Sequence, residues 1–171
     1  TDGMSLLQIL RGDAMGRARF SAMRLLGLSY AGVRPRDWPP ALMPETHGVE
    51  DPLMRAHIHA LHLAFALDAG EAASAEAHAR ELVAMFPALP PVVRGPVALA
   101  VAGHIALQRR DPARLAAWLP LCTDGLADHS AHREWLHAER YALEGDVEAA
   151  RERIARAQRA DTADRGGARV L

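Results

Sequence analysis

Lysine and asparagine are absent from this chain of 171 residues, and all 20 of its basic side chains are arginine. The bias reads first as that of a GC-rich genome. Set against 21 acidic residues, it leaves a formal net charge of -1. A nucleic-acid-binding surface needs excess positive charge to displace phosphate counterions, so nucleic acid is not an expected partner. The single cysteine, Cys122, cannot form an internal disulfide and points to a reducing compartment. No apolar run reaches the length of a membrane span, and no stretch reads as a secretory signal. Aromatic residues make up only 5% of the chain. Val, Ile and Thr are scattered without alternation, which argues against a sheet. Glycine-rich phosphate loops are missing. Ser5, Ser21, Ser29, Ser74 and Ser130 lack the context of an activated nucleophile.

Alanine is plentiful instead, at about a fifth of the residues. It has the best helix propensity and loses no side-chain entropy, so the composition favours closely packed helices. A turn recurs along the second half. Gly70-Glu71-Ala72-Ala73 returns loosely as Arg110-Asp111-Pro112-Ala113 and again as Gly145-Asp146-Val147-Glu148. The spacing, roughly 35–40 residues, is that of stacked helical hairpins. Periodicity and caps predict helices over 3–11, 14–31, 51–68, 71–86, 91–109, 112–121, 127–143 and 146–159, with a short helix near 39–44. Laid on the tetratricopeptide pattern, Ala138, Tyr141, Ala150, Ile154 and Ala157 take packing positions in the last hairpin. Leu63, Ala66, Ala75, Ala79 and Leu82 do so in the first. The expected fold is therefore all-α, a tetratricopeptide-like right-handed array of antiparallel hairpins. Residues 1–48 would hold N-terminal helices and a proline-rich connector, 49–160 the repeats, and 161–171 a flexible tail.

Nine histidines invite a metal hypothesis. His59 and His62 are three apart and share a helical face, as do His129 and His132. Zinc needs three or four converging ligands, and no cysteine or acid stands at matching spacing. His132-Arg133-Glu134-Trp135-Leu136-His137 mimics a zinc-peptidase motif. Its histidines are five apart, about 140° around the helix, where that motif needs one face. Cys122 has no neighbouring base to activate it and reads as a small buried hydrophobe. Arg151, Arg153, Arg156 and Arg159 resemble an anion site, but Glu148 and Glu152 stand at pairing distance along the helix. The chain therefore carries no catalytic constellation and no expected cofactor of its own. What remains is the concave side of a repeat stack, lined by the first helix of each hairpin. There the pattern puts His57, His104, His132, Trp135 and Glu139 as candidates for binding a protein or peptide. Trp135 reads equally as core.

The segment Thr1-Asp2-Gly3-Met4-Ser5-Leu6-Leu7-Gln8-Ile9-Leu10-Arg11-Gly12 resembles the one after the second metal-binding motif of site-2-protease-like, membrane-embedded zinc metallopeptidases. Gly32-Val33-Arg34-Pro35-Arg36-Asp37-Trp38, Ala66-Leu67-Asp68-Ala69-Gly70-Glu71, Phe86-Pro87-Ala88-Leu89-Pro90-Pro91 and Arg109-Arg110-Asp111-Pro112 look like the soluble C-terminal extension of a bacterial subgroup. The resemblance implies that Asp2 is a zinc ligand in a longer parent, and that the chain beyond the Asp-Gly helix lies in the cytosol. The zinc-binding helix with its two histidines is not in this chain, so the expectation is a non-catalytic domain. It would touch the membrane only through that parent, with a protein partner or a second copy. A free-standing cytoplasmic adaptor of the same fold is the alternative.

Overall fold

The computed structural model describes residues 13–123 and 129–167, with side chains through 160. Among them are seven α-helices and no strand: α1 (Ala14–Tyr30), α2 (Pro52–Ala69), α3 (Ala72–Met85), α4 (Pro91–His104), α5 (Pro112–Trp118), α6 (Ser130–Glu144) and α7 (Val147–Gly167). They form two compact units, residues 1–89 and 90–171, divided at the Leu89-Pro90-Pro91 link. The helix expected over 3–11 and the turn through 124–125 lie outside the described residues.

In the first unit, Asp13 starts α1 by accepting a hydrogen bond from the Gly16 amide at 2.6 Å, which satisfies one of the orphan donors at a helix start. Ala18, Ala22 and Leu25 turn inward. Ala18 meets Val49 and Ile58 in a small core edged by Ala14, Met15 and Met54. Helical periodicity over 14–31 puts Leu26 in one stripe with Met15, Ala18, Ala22, Leu25 and Ser29, yet it is 49% exposed; one helical step from Leu25 carries it about 100° around the axis. Residues 31–51 contain two 3-10 turns, Pro35–Asp37 and Pro40–Leu42, and bury Trp38 and Val49. The connector is therefore part of this unit's packing. It is tied to the end of α2 by Asp68, which pairs with Arg34 and accepts from the Arg36 amide at 3.1 Å. Two segments that carried the family resemblance thus meet at one carboxylate.

α2 and α3 form a hairpin. Leu63, Ala66, Ala75, Ala79 and Leu82 are all buried. The turn is a left-handed glycine cap: Gly70 has φ +76°, its amide donates to Leu67 O, and the Glu71 amide donates to Ala66 O.

The second unit repeats this device. Gly145 has φ +84°, with Gly145 N to Ala142 O and Asp146 N to Tyr141 O closing the turn between α6 and α7. Leu136, Ala138 and Ala150 are buried between them, whereas Ile154 is 45% exposed. Arg153 of α7 grips Glu134 of α6 through two hydrogen bonds of 3.1 and 3.0 Å. α7 runs on to Gly167, past the end expected near 159. The middle turn differs. The helix predicted over 91–109 is α-helical to His104 and then π-helical over Ile105–Arg109. Arg110 takes the left-handed conformation, φ +51°, and its amide donates to Ile105 O at 2.8 Å. The wider π turn supplies that acceptor, so a non-glycine residue holds the position. Asp111 then caps α5 by accepting from the Arg114 amide at 2.9 Å.

Candidate functional site

The five proposed partner-binding residues fall into three settings. His57 is exposed on α2 of the first unit, beside a groove of about 430 Å³ that Met23, Leu26, Leu53 and Met54 also line. His104 is only 4% exposed, on the inward side of α4, so it does not line an accessible surface. The residues around it, Val101 through Ala106, are buried without a break, and single-helix periodicity cannot reveal a helix enclosed on most sides.

His132, Trp135 and Glu139 do come together. They stand at i, i+3 and i+7 on α6, which places them in one row. The His132 and Trp135 rings lie 5.6 Å apart, centroid to centroid, at 47°. His132 is exposed, and Trp135 and Glu139 are half-buried. Trp135 is thus neither core nor fully solvated. Loss of solvent, and then the neighbouring His129, lower the His132 pKa; its exposure limits that effect. The imidazole beside Trp135 is therefore neutral near pH 7.

A second cluster was only half visible in the sequence. His59 and His62 on α2 meet His78 on α3. His59 Nδ1 and His78 Nδ1 share a hydrogen bond of 3.0 Å. The His62 ring stacks on His78 with centroids 4.9 Å apart and planes 21° from parallel. His62 Nε2 donates to Pro44 O at 2.8 Å, which fixes its tautomer. An Nδ1–Nδ1 hydrogen bond requires one ring to donate and the other to accept, so the accepting ring is neutral and the contact breaks when both rings are protonated. Burial, then His62 and His59, push His78 down to about 4, with Glu81 opposing. Burial also lowers His59, with Glu81 opposing and Arg55 and His62 adding to the fall. The unfolded chain takes up protons near pH 6.5, while folded His78 waits until about 4. Stability is complete above 6.5 and declines as pH falls toward 4. We expect this to cost about 1–2 kcal/mol by pH 4.5, after allowance for partial exposure. Urea titrations at pH 7.5 and 4.5 should show a difference that His78→Gln reduces; an equal difference in both proteins would remove His78 as its source.

Among the described residues no three or more His, Cys, Asp or Glu side chains converge to hold a metal. His59 and His78 direct their Nδ1 atoms at each other rather than at a common point. Asp2 lies outside the described residues. Cys122 is buried, donates to Trp118 O at 3.4 Å, and burial raises its thiol to about 11, well away from thiolate chemistry at neutral pH. Arg151, Arg153 and Arg156 pair with Glu148, Glu134 and Glu152. No helix of the described residues is long and apolar enough to cross a membrane. Comparison with family models, with curated proteins and with solved structures finds no match to this chain.

Proposed function

We propose that this chain is a non-catalytic protein-interaction domain of tetratricopeptide-like stacked hairpins, and that it forms the cytosolic C-terminal part of a membrane-embedded zinc metallopeptidase. The observation that carries the interaction reading is the α6 row. A half-buried tryptophan beside a neutral imidazole, with Glu139 one turn on, offers an apolar platform next to a hydrogen-bonding edge. That combination suits a peptide partner, since interface energy concentrates in a few part-desolvated aromatic anchors. The parent rests on the resemblance around Asp2-Gly3 and the downstream segments. Zinc would be held by that parent, with Asp2 one of its ligands; no chemistry is assigned to zinc within this domain. The α6 row serves a free-standing cytoplasmic adaptor equally well, and that is the second reading.

The two are separated on the native protein. Antibody raised against this domain should detect a species heavier than 18.5 kDa that resists carbonate extraction from membranes. A soluble species of that mass would discard the peptidase and leave the adaptor. In either case Trp135→Ala should weaken partner capture roughly tenfold or more. Unchanged capture would move the binding surface off α6.

A further inference from the structure

We propose that the α6 row receives an arginine side chain of the partner peptide, its guanidinium lying on the Trp135 indole and bonded to Glu139. This rests on the reading of that row as the interaction surface, and it names what the row recognises.

The same helix shows such an arrangement already filled. Further along α6, the Arg140 guanidinium stands over the Tyr141 ring, 4.2 Å from its centroid. It also donates to both Glu144 oxygens, at 3.0 and 3.2 Å. A guanidinium between an aromatic ring and a carboxylate is attracted by the ring quadrupole and by charge-assisted hydrogen bonds together. Trp135 and Glu139 repeat the aromatic and the acid, four residues apart on one face of the helix. Among the described residues no guanidinium stands over Trp135.

Glu139 also lacks the cation that its neighbours have. Of the three glutamates on α6, Glu134 is held by Arg153 and Glu144 by Arg140. The Glu139 carboxylate has neither ion pair nor hydrogen bond among the described residues, although the residue is half-buried. A carboxylate that loses solvent without gaining a partner is destabilised, and a cation brought by a ligand offsets this. The nearby arginines do not serve: Arg140 and Arg153 are held as described, and Arg133 has a partner as well. His132 does not compete, because loss of solvent keeps its imidazole neutral near pH 7. A lysine would reach the same acid, but its compact ammonium cannot lie flat on an indole as a planar guanidinium does. An apolar side chain would cover the ring and leave Glu139 without a partner.

The test is titration of the isotope-labelled full chain with N-acetylarginine amide, and in parallel with the lysine, citrulline and leucine analogues. Citrulline has the shape of arginine without its charge. The Trp135 indole N–H resonance, assigned by its loss in Trp135→Phe, should move with the arginine compound, half-saturating on the order of millimolar. The Trp38 and Trp118 resonances should stay. Lysine should bind about threefold more weakly, and citrulline and leucine about tenfold or more. Glu139→Gln should weaken arginine about fivefold or more and leave leucine unchanged. Equal responses to arginine, citrulline and leucine would overturn the proposal while keeping the row as a plain apolar platform. Arginine binding that Glu139→Gln does not weaken would do the same. No response of Trp135 to any of the four would overturn the α6 surface itself along with the proposal. A Trp135 resonance that moves with protein concentration alone would put a second copy there and overturn the peptide.

Discussion

Leu63→Ala is expected to lower the unfolding free energy by about 2–5 kcal/mol, toward the upper end of that range. Leu63 is fully buried on α2. Deleting three carbons removes their transfer free energy and leaves a cavity whose cost depends on how far the surroundings collapse. The other buried positions of the hairpin are Ala56, Ala66, Ala75 and Ala79, with Ile58, His59 and Leu82. Alanine has no rotamer with which to follow a retreating neighbour, and the glycine-capped turn fixes the separation of the two helices. Little relaxation is therefore available. Urea unfolding followed by far-UV dichroism should show a lower midpoint with an unchanged slope. A loss below about 1 kcal/mol would mean that Leu63 is not central to this core.

The second large effect is a difference in sign within one helix. Gly95 and Gly103 both belong to α4, where alanine in place of glycine ordinarily stabilises by about 1 kcal/mol. At Gly103 a Cβ would meet nothing within 4 Å, and Gly103→Ala should gain roughly that much. At Gly95 a Cβ would press on the Thr123 carbonyl oxygen, and would stand 2.6 Å from its Oγ1 and 2.8 Å from its carbonyl carbon. The side-chain oxygen can rotate away; the backbone cannot. Overpacking of this kind costs about 1–3 kcal/mol, so the clash outweighs the propensity gain and Gly95→Ala should melt lower than the parent. Valine at 95 should be worse. Thermal unfolding of the two alanine variants in parallel decides the matter: equal melting temperatures would show that Thr123 yields.

Much of the architecture was legible because it is written locally. Asp13, Asp51 and Asp111 cap the helices they precede, and Gly70 and Gly145 end the helices before them. Such signals need only a few neighbouring residues. What escaped depends on other segments. His104 and Leu26 lie on helices whose burial is set by what packs around them, and the π turn at Ile105–Arg109 has no residue signature of its own. His78 escaped because it is contributed by a different helix from His59 and His62. Counting from the turn would have found it: His62 stands eight residues before Gly70 and His78 eight after, so an antiparallel hairpin sets them side by side. For the α6 row, spacing gave the alignment of His132, Trp135 and Glu139. Only the packed structure shows that Trp135 is half-buried.

The burial of Trp38 has a spectroscopic consequence. Among residues 1–89 it is the one tryptophan, whereas Trp118 and Trp135 belong to residues 90–171. The residue is 4% exposed, and its Nε1 has no hydrogen-bond partner among the described residues. An indole so shielded emits toward the blue and shifts to the red when water reaches it. A chain retaining Trp38 alone would carry an intrinsic dye for its first half, and one retaining only Trp118 and Trp135 would report on the second.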